Sequence, residues 1–548
     1  MFVPKALGGI EIYRASKRHE DLIFQRIKRG VFEQFEPGIY TDRAEIKNIV
    51  NHMFELYRKI LAEHLPIINS RGFASFLVQQ YERYGQISNK YKLGLLPKEE
   101  EIFWQDYAVS ARRGIKYLLE LICLADMKDN ASNHSLPEQQ DAIAMVFVAA
   151  EELVSLYMRS DNYVYLMENV TLILDPLEET YFNVPQDADT IFDPREAYRD
   201  EELYIPSPDF LCDHAAHSEL TEESFIRHLG ITYTTALGIF QWIITTYSDA
   251  EHPERIYFFY RDEVLATIIE TYAVSAEQAR LFLDGLSLSP EKMREERREL
   301  FSPKQEYRAY KRPFFYDYHN GDELMFFSQL MAEECLTCLV REFAFKKIPT
   351  EWYAKQVGAE LADVSLKSGR WFESVVTSNF ERVGLRGLSS VKNLRFKKGQ
   401  KIEVPADVGE IDHLVFCPDQ QLLIIIEDKQ VIQSTEPRTH RDDLTKFITS
   451  KNSYSEKFSK KYTWATDNLN DLEAYFQEVF DPGIQFGAIC RVMITRYPTF
   501  VANQIKDFTC ISLVEFMNIY SSSGKRWIFN KNEVVKLAPH SLDRDESH

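Results

Sequence analysis

The 548-residue sequence has no long uncharged apolar run, no excess of positive charge and only seven cysteines. The longest apolar-rich stretch free of charge, "ITYTTALGIFQWIITTY" (231–247), is studded with threonine. It falls short of the ~20 apolar residues a membrane span requires, so a buried helix is expected there and no membrane partner. The opening "MFVPKALGGIEIYR" lacks the basic n-region and apolar h-region of a secretion signal. The cysteines (Cys123, Cys212, Cys335, Cys338, Cys417, Cys490, Cys510) are odd in number, scattered and mostly set in apolar runs. That points to reduced, buried thiols and a cytoplasmic setting rather than a disulfide framework. The formal net charge of −20 speaks against a chain coated in nucleic acid or spread on an anionic membrane. No P-loop, GxSxG elbow or dinucleotide fingerprint is present, so ATPase, serine-hydrolase and dehydrogenase chemistry have no motif to rest on.

What is present is unevenly distributed. Residues 366–548 carry 25 Lys and Arg against 24 Asp and Glu, leaving 39 against 60 in residues 1–365. The acidity belongs to the first two-thirds, and a polyanion can approach the last third. Length implies several domains, and 45% hydrophobic with 27% charged residues is a globular balance. Residues 1–174 read as helical: Ile46, Ile49, Met53, Leu56 and Ile60 form one amphipathic stripe, and 136–158 another. From 175 to 209, five prolines and eleven acidic against two basic residues mark an acidic, Pro-rich connection. Residues 210–353 return to helical signals. Ser275 with Gln278 makes a capping box, Gly285 suits a C-terminal cap, and Ser289-Pro290 opens the helix "EKMREERREL". No period of 20–50 residues repeats.

Residues 354–548 change character. Helical stretches at about 354–383, 440–480 and 512–521 flank β-rich runs at 389–397, 408–416, 421–427 and 487–495. The order helix, three strands, long helix, strand predicts an α/β unit with a mixed sheet. The fold class is thus α+β and multidomain, a large mostly helical N-terminal region followed by this unit.

Within it, "VGEIDHLVFCPDQQLLIIIEDKQ" holds two apolar strands about a Pro/Asp turn, an antiparallel hairpin. A turn centred near 419–420 sets Asp412 opposite Glu427. Alternation gives Glu427 and Lys429 one face and sends Asp428 to the other. Two facing carboxylates repel, and a divalent cation removes the conflict. Upstream, Glu373 lies among Phe372, Val375, Val376, Phe380 and Val383 at the spacing of a helix's buried side, unusual for an acid unless it reaches a site.

A helix carrying Glu373, then Gly-Glu-Ile-Asp412, then an apolar strand ending Glu427-Asp-Lys429, resembles the PD-(D/E)xK nuclease superfamily over about residues 365–500. The flavour of "GEIDHLVF…IIIEDKQ" is similar to its restriction-endonuclease-like branches; one departure is Ile411 where the pattern has Pro. The resemblance implies an α-β-β-β-α-β core and metal-dependent hydrolysis of phosphodiester bonds with Mg²⁺ (or Mn²⁺), DNA favoured, by endonucleolytic attack. It implies Asp412 and Glu427 as metal ligands, Glu373 as the helix acid holding a metal or its water, and Lys429 as the catalytic lysine, with Gln430 lining the site. The architecture resembles effectors of microbial, including antiviral, defence or of mobile-element systems. The helical region would regulate, form homo-oligomers or bind a partner protein. The competing expectation is a non-catalytic scaffold whose nuclease-like domain only binds nucleic acid or another subunit.

Weaker signals surround this one. Arg395, Lys397, Lys398, Arg441, Lys446 and Lys451 supply cations for a phosphate backbone, the last three on a helix expected over 440–461. Cys335-Leu-Thr-Cys338 has CxxC spacing without a second pair, and core cysteines are the expectation. "CDHAAH" (Cys212, His214, His217) lacks a fourth ligand, and His413 alternates away from Asp412.

Overall fold

The structure is a computed structural model. It describes residues 2–125, 134–161, 170–178, 181–184, 200–206, 210–249, 251–295, 307–319, 322–397, 399–434, 437–522 and 535–536. Most of the acidic connection, the continuation of the 290s helix and Lys398 lie outside the described residues. The chain is a mixed α and β protein that divides into two compact units. One comprises residues 1–187 and 211–364, the other 188–210 and 365–548. The division falls at 364/365 rather than at the 353/354 expected from sequence, and part of the acidic connection belongs to the second unit.

In the first unit, helices Lys17–Phe32, Arg43–His64, Ser70–Lys92, Lys98–Leu124 and Leu136–Asp161 pack around one apolar core. The stripe read from sequence is that core: Ile46, Ile49, Met53 and Ile60 are buried on the helix capped by Asp42. The run at 231–247 is the buried helix Tyr233–Thr246. No helix among the described residues is long and apolar enough to cross a membrane. Strands interrupt the mostly helical expectation, among them the small sheet of Gly38–Tyr40, Leu172–Leu174 and Phe182–Asn183 and two hairpins. The chain opens with the antiparallel hairpin Phe2–Leu7/Ile10–Ala15, turned by Gly8 and Gly9 at φ +56° and +79°. A second hairpin, Phe314–His319/Asp322–Phe327, pairs with Phe259–Tyr260. Both were masked by the helical sequence around them.

In the second unit, elements are numbered from the helix α1 (Lys355–Arg382), which spans the division. Strands β1 (Arg386–Val391), β2 (Asn393–Arg395) and β3 (Lys401–Glu403) follow, then β4 (Ile411–Cys417) and β5 (Leu422–Lys429). Next come α2 (Pro437–Leu444), α3 (Tyr454–Asp467), α4 (Leu469–Val479), β6 (Ala488–Thr495), β7 (Thr509–Ser512), α5 (Leu513–Ser522) and β8 (Val535–Lys536). The sheet runs β7-β6-β5-β4-β1, with β8 beside β6. β1, β4 and β5 are successively antiparallel, whereas β5, β6 and β7 are parallel.

The second unit differs from the sequence expectation in two places. The strand expected at 389–397 ends at Val391; Ser390 sits at φ +52°, and Asn393–Arg395 and Lys401–Glu403 pair separately as β2 and β3. The single helix expected over 440–480 is broken. A π-helical turn over Thr445–Thr449 ends the first piece, and Asn452 at φ +65° starts the next. Ser453 caps α3 by accepting from Glu456 N–H at 3.2 Å, while Asn452 N–H donates to Glu456 at 2.9 Å.

Both faces of the sheet are covered, which is why β4 and β5 are almost uninterruptedly apolar. On one face α1 and α5 set Phe372, Val376, Phe380, Leu513 and Phe516 against Val415, Ile424 and Ile426. Ile205, beside the short helix Glu201–Tyr204, joins this core. The opposite face carries Leu414, Phe416, Leu423 and Ile425, covered from the α3–α4 side, where Phe416 and Phe476 both pack on Phe486.

Candidate active site

The apolar run of β5 gives way to Glu427 and Asp428, which are themselves buried, before the half-buried Lys429. The β4–β5 register pairs His413 with Ile426 and therefore sets Asp412 opposite Glu427. Alternation puts Asp412, Glu427 and Lys429 on the α3 side and His413 and Asp428 on the α1 side.

On the α3 side the charges close into a compact cluster. Lys429 Nζ donates to Glu427 Oε1 at 2.6 Å and to Asp428 O at 2.9 Å, and lies 3.9 Å from Asp412 Oδ2. Its ammonium is 5.2 Å from the Tyr454 ring centre. Burial pulls Lys429 down, but Glu427 and Asp412 outweigh it and hold the ammonium above its ordinary range. A second ammonium enters from α3: Lys461 Nζ donates to Glu427 Oε2 and, at 3.3 Å, to Asp412 Oδ1. Asp412 and Lys429 keep 12% and 19% of their side-chain surface open, while Glu427 and Lys461 are at 5% and 8%. The cluster therefore opens to solvent along its Asp412–Lys429 edge.

On the α1 side Asp428 meets His413, Oδ2 to Nε2 at 2.6 Å, with both side chains buried. Burial lowers the imidazole, but the Asp428 carboxylate more than offsets that and holds His413 above its ordinary value. His413 also packs edge-on against Phe380 of α1. Although its side chain faces away, Asp428 serves the site through its backbone, whose N–H donates to Asp412 Oδ2 at 2.8 Å. That bond fixes one oxygen of Asp412 and leaves the other directed at Lys461.

Glu373 approaches from α1 and is half-buried. Desolvation, reinforced by the charges of Asp412 and Asp428, pushes its carboxyl up to about 7. It feels the cluster electrostatically, yet no group of three or more His, Cys, Asp or Glu among the described residues is arranged to hold a metal ion. Asp412 and Glu427 offer a pair of oxygens that converge on Lys461 Nζ. Gln430 is tied back to α1, its Oε1 accepting from Ser368 Oγ at 2.6 Å.

The remaining sequence candidates separate. Cys335 is buried and Cys338 half-buried, both unpaired. Cys212 and His214 are exposed, whereas His217 is buried and stacked on Phe343, so the three do not converge. Arg395, Lys397, Arg441, Lys446 and Lys451 are exposed, and His440 meets Ser434 O at 3.3 Å.

Sequence reasoning passed over Lys461, although a signal existed. Phe458, Lys461, Trp464 and Ala465 share the buried stripe of α3, and a lysine at such a position needs a buried partner.

No protein-family model matches the chain, and neither the curated proteins nor the solved structures give a match.

Proposed function

We propose that the second unit is a restriction-endonuclease-like domain of the PD-(D/E)xK kind that hydrolyses nucleic-acid phosphodiester bonds with a divalent cation, DNA being the favoured substrate. The observation that carries this reading is the meeting of Asp412, Glu427 and Lys429 on one face of neighbouring strands, at the open end of an otherwise apolar hairpin. The order α1, β1, β4, β5, helices, β6, with three antiparallel strands and then a parallel one, supports it. Residues 1–187 and 211–364 are then the regulatory or partner-binding part.

The residues fit a hard cation. Asp412 Oδ1 and Glu427 Oε2 converge on one point at which a positive charge, the Lys461 ammonium, already sits. Carboxylate oxygens are the donors Mg²⁺ and Mn²⁺ prefer. Asp412 and Glu427 would hold the ion, which when bound polarises a phosphoryl oxygen and lowers the pKa of a water. Lys429, cationic and on the open edge, orients a nucleophilic water or neutralises charge developing on the phosphate. Glu373, at about 7, takes up or gives a proton near neutral pH.

Incubation of the purified chain with supercoiled and linear DNA and with RNA, with and without Mg²⁺ or Mn²⁺, tests this. Metal-dependent cleavage is expected, and Asp412→Asn and Lys429→Met should each lower its rate by roughly 10²-fold or more. Cleavage unchanged in both variants would remove the site assignment. A specific observation favours a second reading, that of a non-catalytic scaffold. All four oxygens of Asp412 and Glu427 are already engaged by Lys429, Lys461 or the Asp428 N–H. That reading expects no cleavage with any metal or polynucleotide.

A further inference from the structure

The occupied oxygens point to a role for a residue that neither the motif nor the spacing names. We propose that Lys461 is a resident cation that holds the Asp412–Glu427 pair together when no divalent ion is bound, and that its withdrawal admits the ion, so that Lys461 sets the metal affinity of the site. This rests on the metal-site reading above and goes beyond it.

Lys461 lies on the buried stripe of α3 between Phe458 and Trp464, with 8% of its side chain exposed. An ammonium there costs stability unless it is paired, and its partners are the two carboxylates that already repel each other across the hairpin. Lys461 thus resolves, within the chain, the conflict that a metal would otherwise resolve.

The four oxygens are not equivalent. Asp412 Oδ2 is fixed by the Asp428 N–H, and Glu427 Oε1 by Lys429, both groups of the same hairpin. Among the described residues, Asp412 Oδ1 and Glu427 Oε2 are held only by Lys461, from another element. These are the oxygens whose partner can leave without breaking the hairpin's own hydrogen bonds.

Space and charge both favour departure, because the Lys461 ammonium fills the point on which Asp412 Oδ1 and Glu427 Oε2 converge. Two carboxylates and two ammonium groups sum to zero. A divalent ion added beside both lysines would meet two like charges within a few ångströms, which cancel much of what the two carboxylates return. Lys429 is anchored by a backbone carbonyl as well as by Glu427, so Lys461 is the cation that yields. Its four-carbon stem lets the head group swing while α3 stays in place.

The test measures Mn²⁺ binding by calorimetry on the full chain without nucleic acid. Lys461→Met keeps the apolar stem and removes the charge, and Lys461→Gln keeps a polar end. Both should bind Mn²⁺ roughly tenfold or more tighter than the wild type, since one repelling charge has gone. Equal or weaker binding by folded variants would overturn the proposal. A second measurement needs no variant: in the wild type, acylation of Lys461 followed by mass spectrometry should increase when Mg²⁺ is added. Unchanged or decreased labelling at metal concentrations that saturate the site would also overturn it. If wild type and variants alike bind no Mn²⁺, the metal-site reading falls and takes this one with it. If the wild type binds Mn²⁺ and cleaves while the variants bind no tighter, only the role of Lys461 is lost.

Discussion

Glu82 shows how a single carboxyl can tie stability to pH far from any site. It is buried, and its Oε1 accepts from Ser328 Oγ at 2.5 Å and Leu330 N–H at 3.0 Å. Burial nevertheless dominates and raises the group from 4.5 to about 7. Between those values the folded chain keeps a proton that the unfolded chain has released, so stability falls as pH rises through this window. Glu82→Gln preserves the accepting oxygen and removes the titration. The variant should be more stable than wild type at pH 8 by up to about 3 kcal/mol and nearly equal to it at pH 4.5; denaturant midpoints at the two pH values check this. At this scale, the sequence was most informative where geometry is local. Asp412, Glu427 and Lys429 fall together because a strand has period two and one short turn joins the pair. The Asp428–His413 bond was not legible, because it depends on which helix covers which face; Lys461 was signalled by its place in an apolar helical stripe, but its partners were not. Glu373 shares its helix with core residues, but spacing alone does not tell how far its carboxyl reaches.

At the scale of elements, the amphipathic helices and the capping box were readable from short-range chemistry. Ser275 accepts from Gln278 N–H, and the Gln278 side chain from Ser275 N–H, as the S-x-x-Q pattern requires. Gly285 has a different reason to be glycine from the one its position suggested. It is the last residue of the helix Ala276–Gly285, not a left-handed cap. A Cβ there would press into the indole of Trp352 and lie 3.0 Å from Pro349 Cβ. Trp352 cannot give way easily, for it stacks on Phe282 and its Nε1 donates to Phe282 O at 3.1 Å. Gly285→Ala, a gain in helix propensity, should therefore destabilise the chain by roughly 1–3 kcal/mol, seen as a lower thermal midpoint with altered tryptophan fluorescence. An unchanged midpoint would mean that the tryptophan has room to move. The Gly8-Gly9 hairpin went unread because six-residue strands before a long helical region carry little periodic signal.

At the scale of the molecule, each unit is assembled from two separate stretches of chain. Residues 200–206 are fastened to the second unit by side chains far along the sequence. Tyr204 OH donates to Asn518 Oδ1 at 2.6 Å, Asn379 Nδ2 donates to Tyr204 O at 2.8 Å, and Arg496 pairs with Glu201 at 2.8 Å. Ile205 is 6% exposed within that core. Ile205→Ala should cost about 2–4 kcal/mol, read as an earlier unfolding transition of the full chain. A silent substitution would show the strap to be dispensable. Composition had marked 175–209 only as a loop-rich boundary, since prolines and acids report what a segment cannot form and not where it docks. The interleaving also bears on synthesis. A ribosome makes residues 1–187 of the other unit, then the strap, then the rest of the other unit, and only afterwards the hairpin with Asp412 and Glu427. The strap must wait for its partners, and the unit that carries the charged cluster is completed last, after the acidic unit has all its residues.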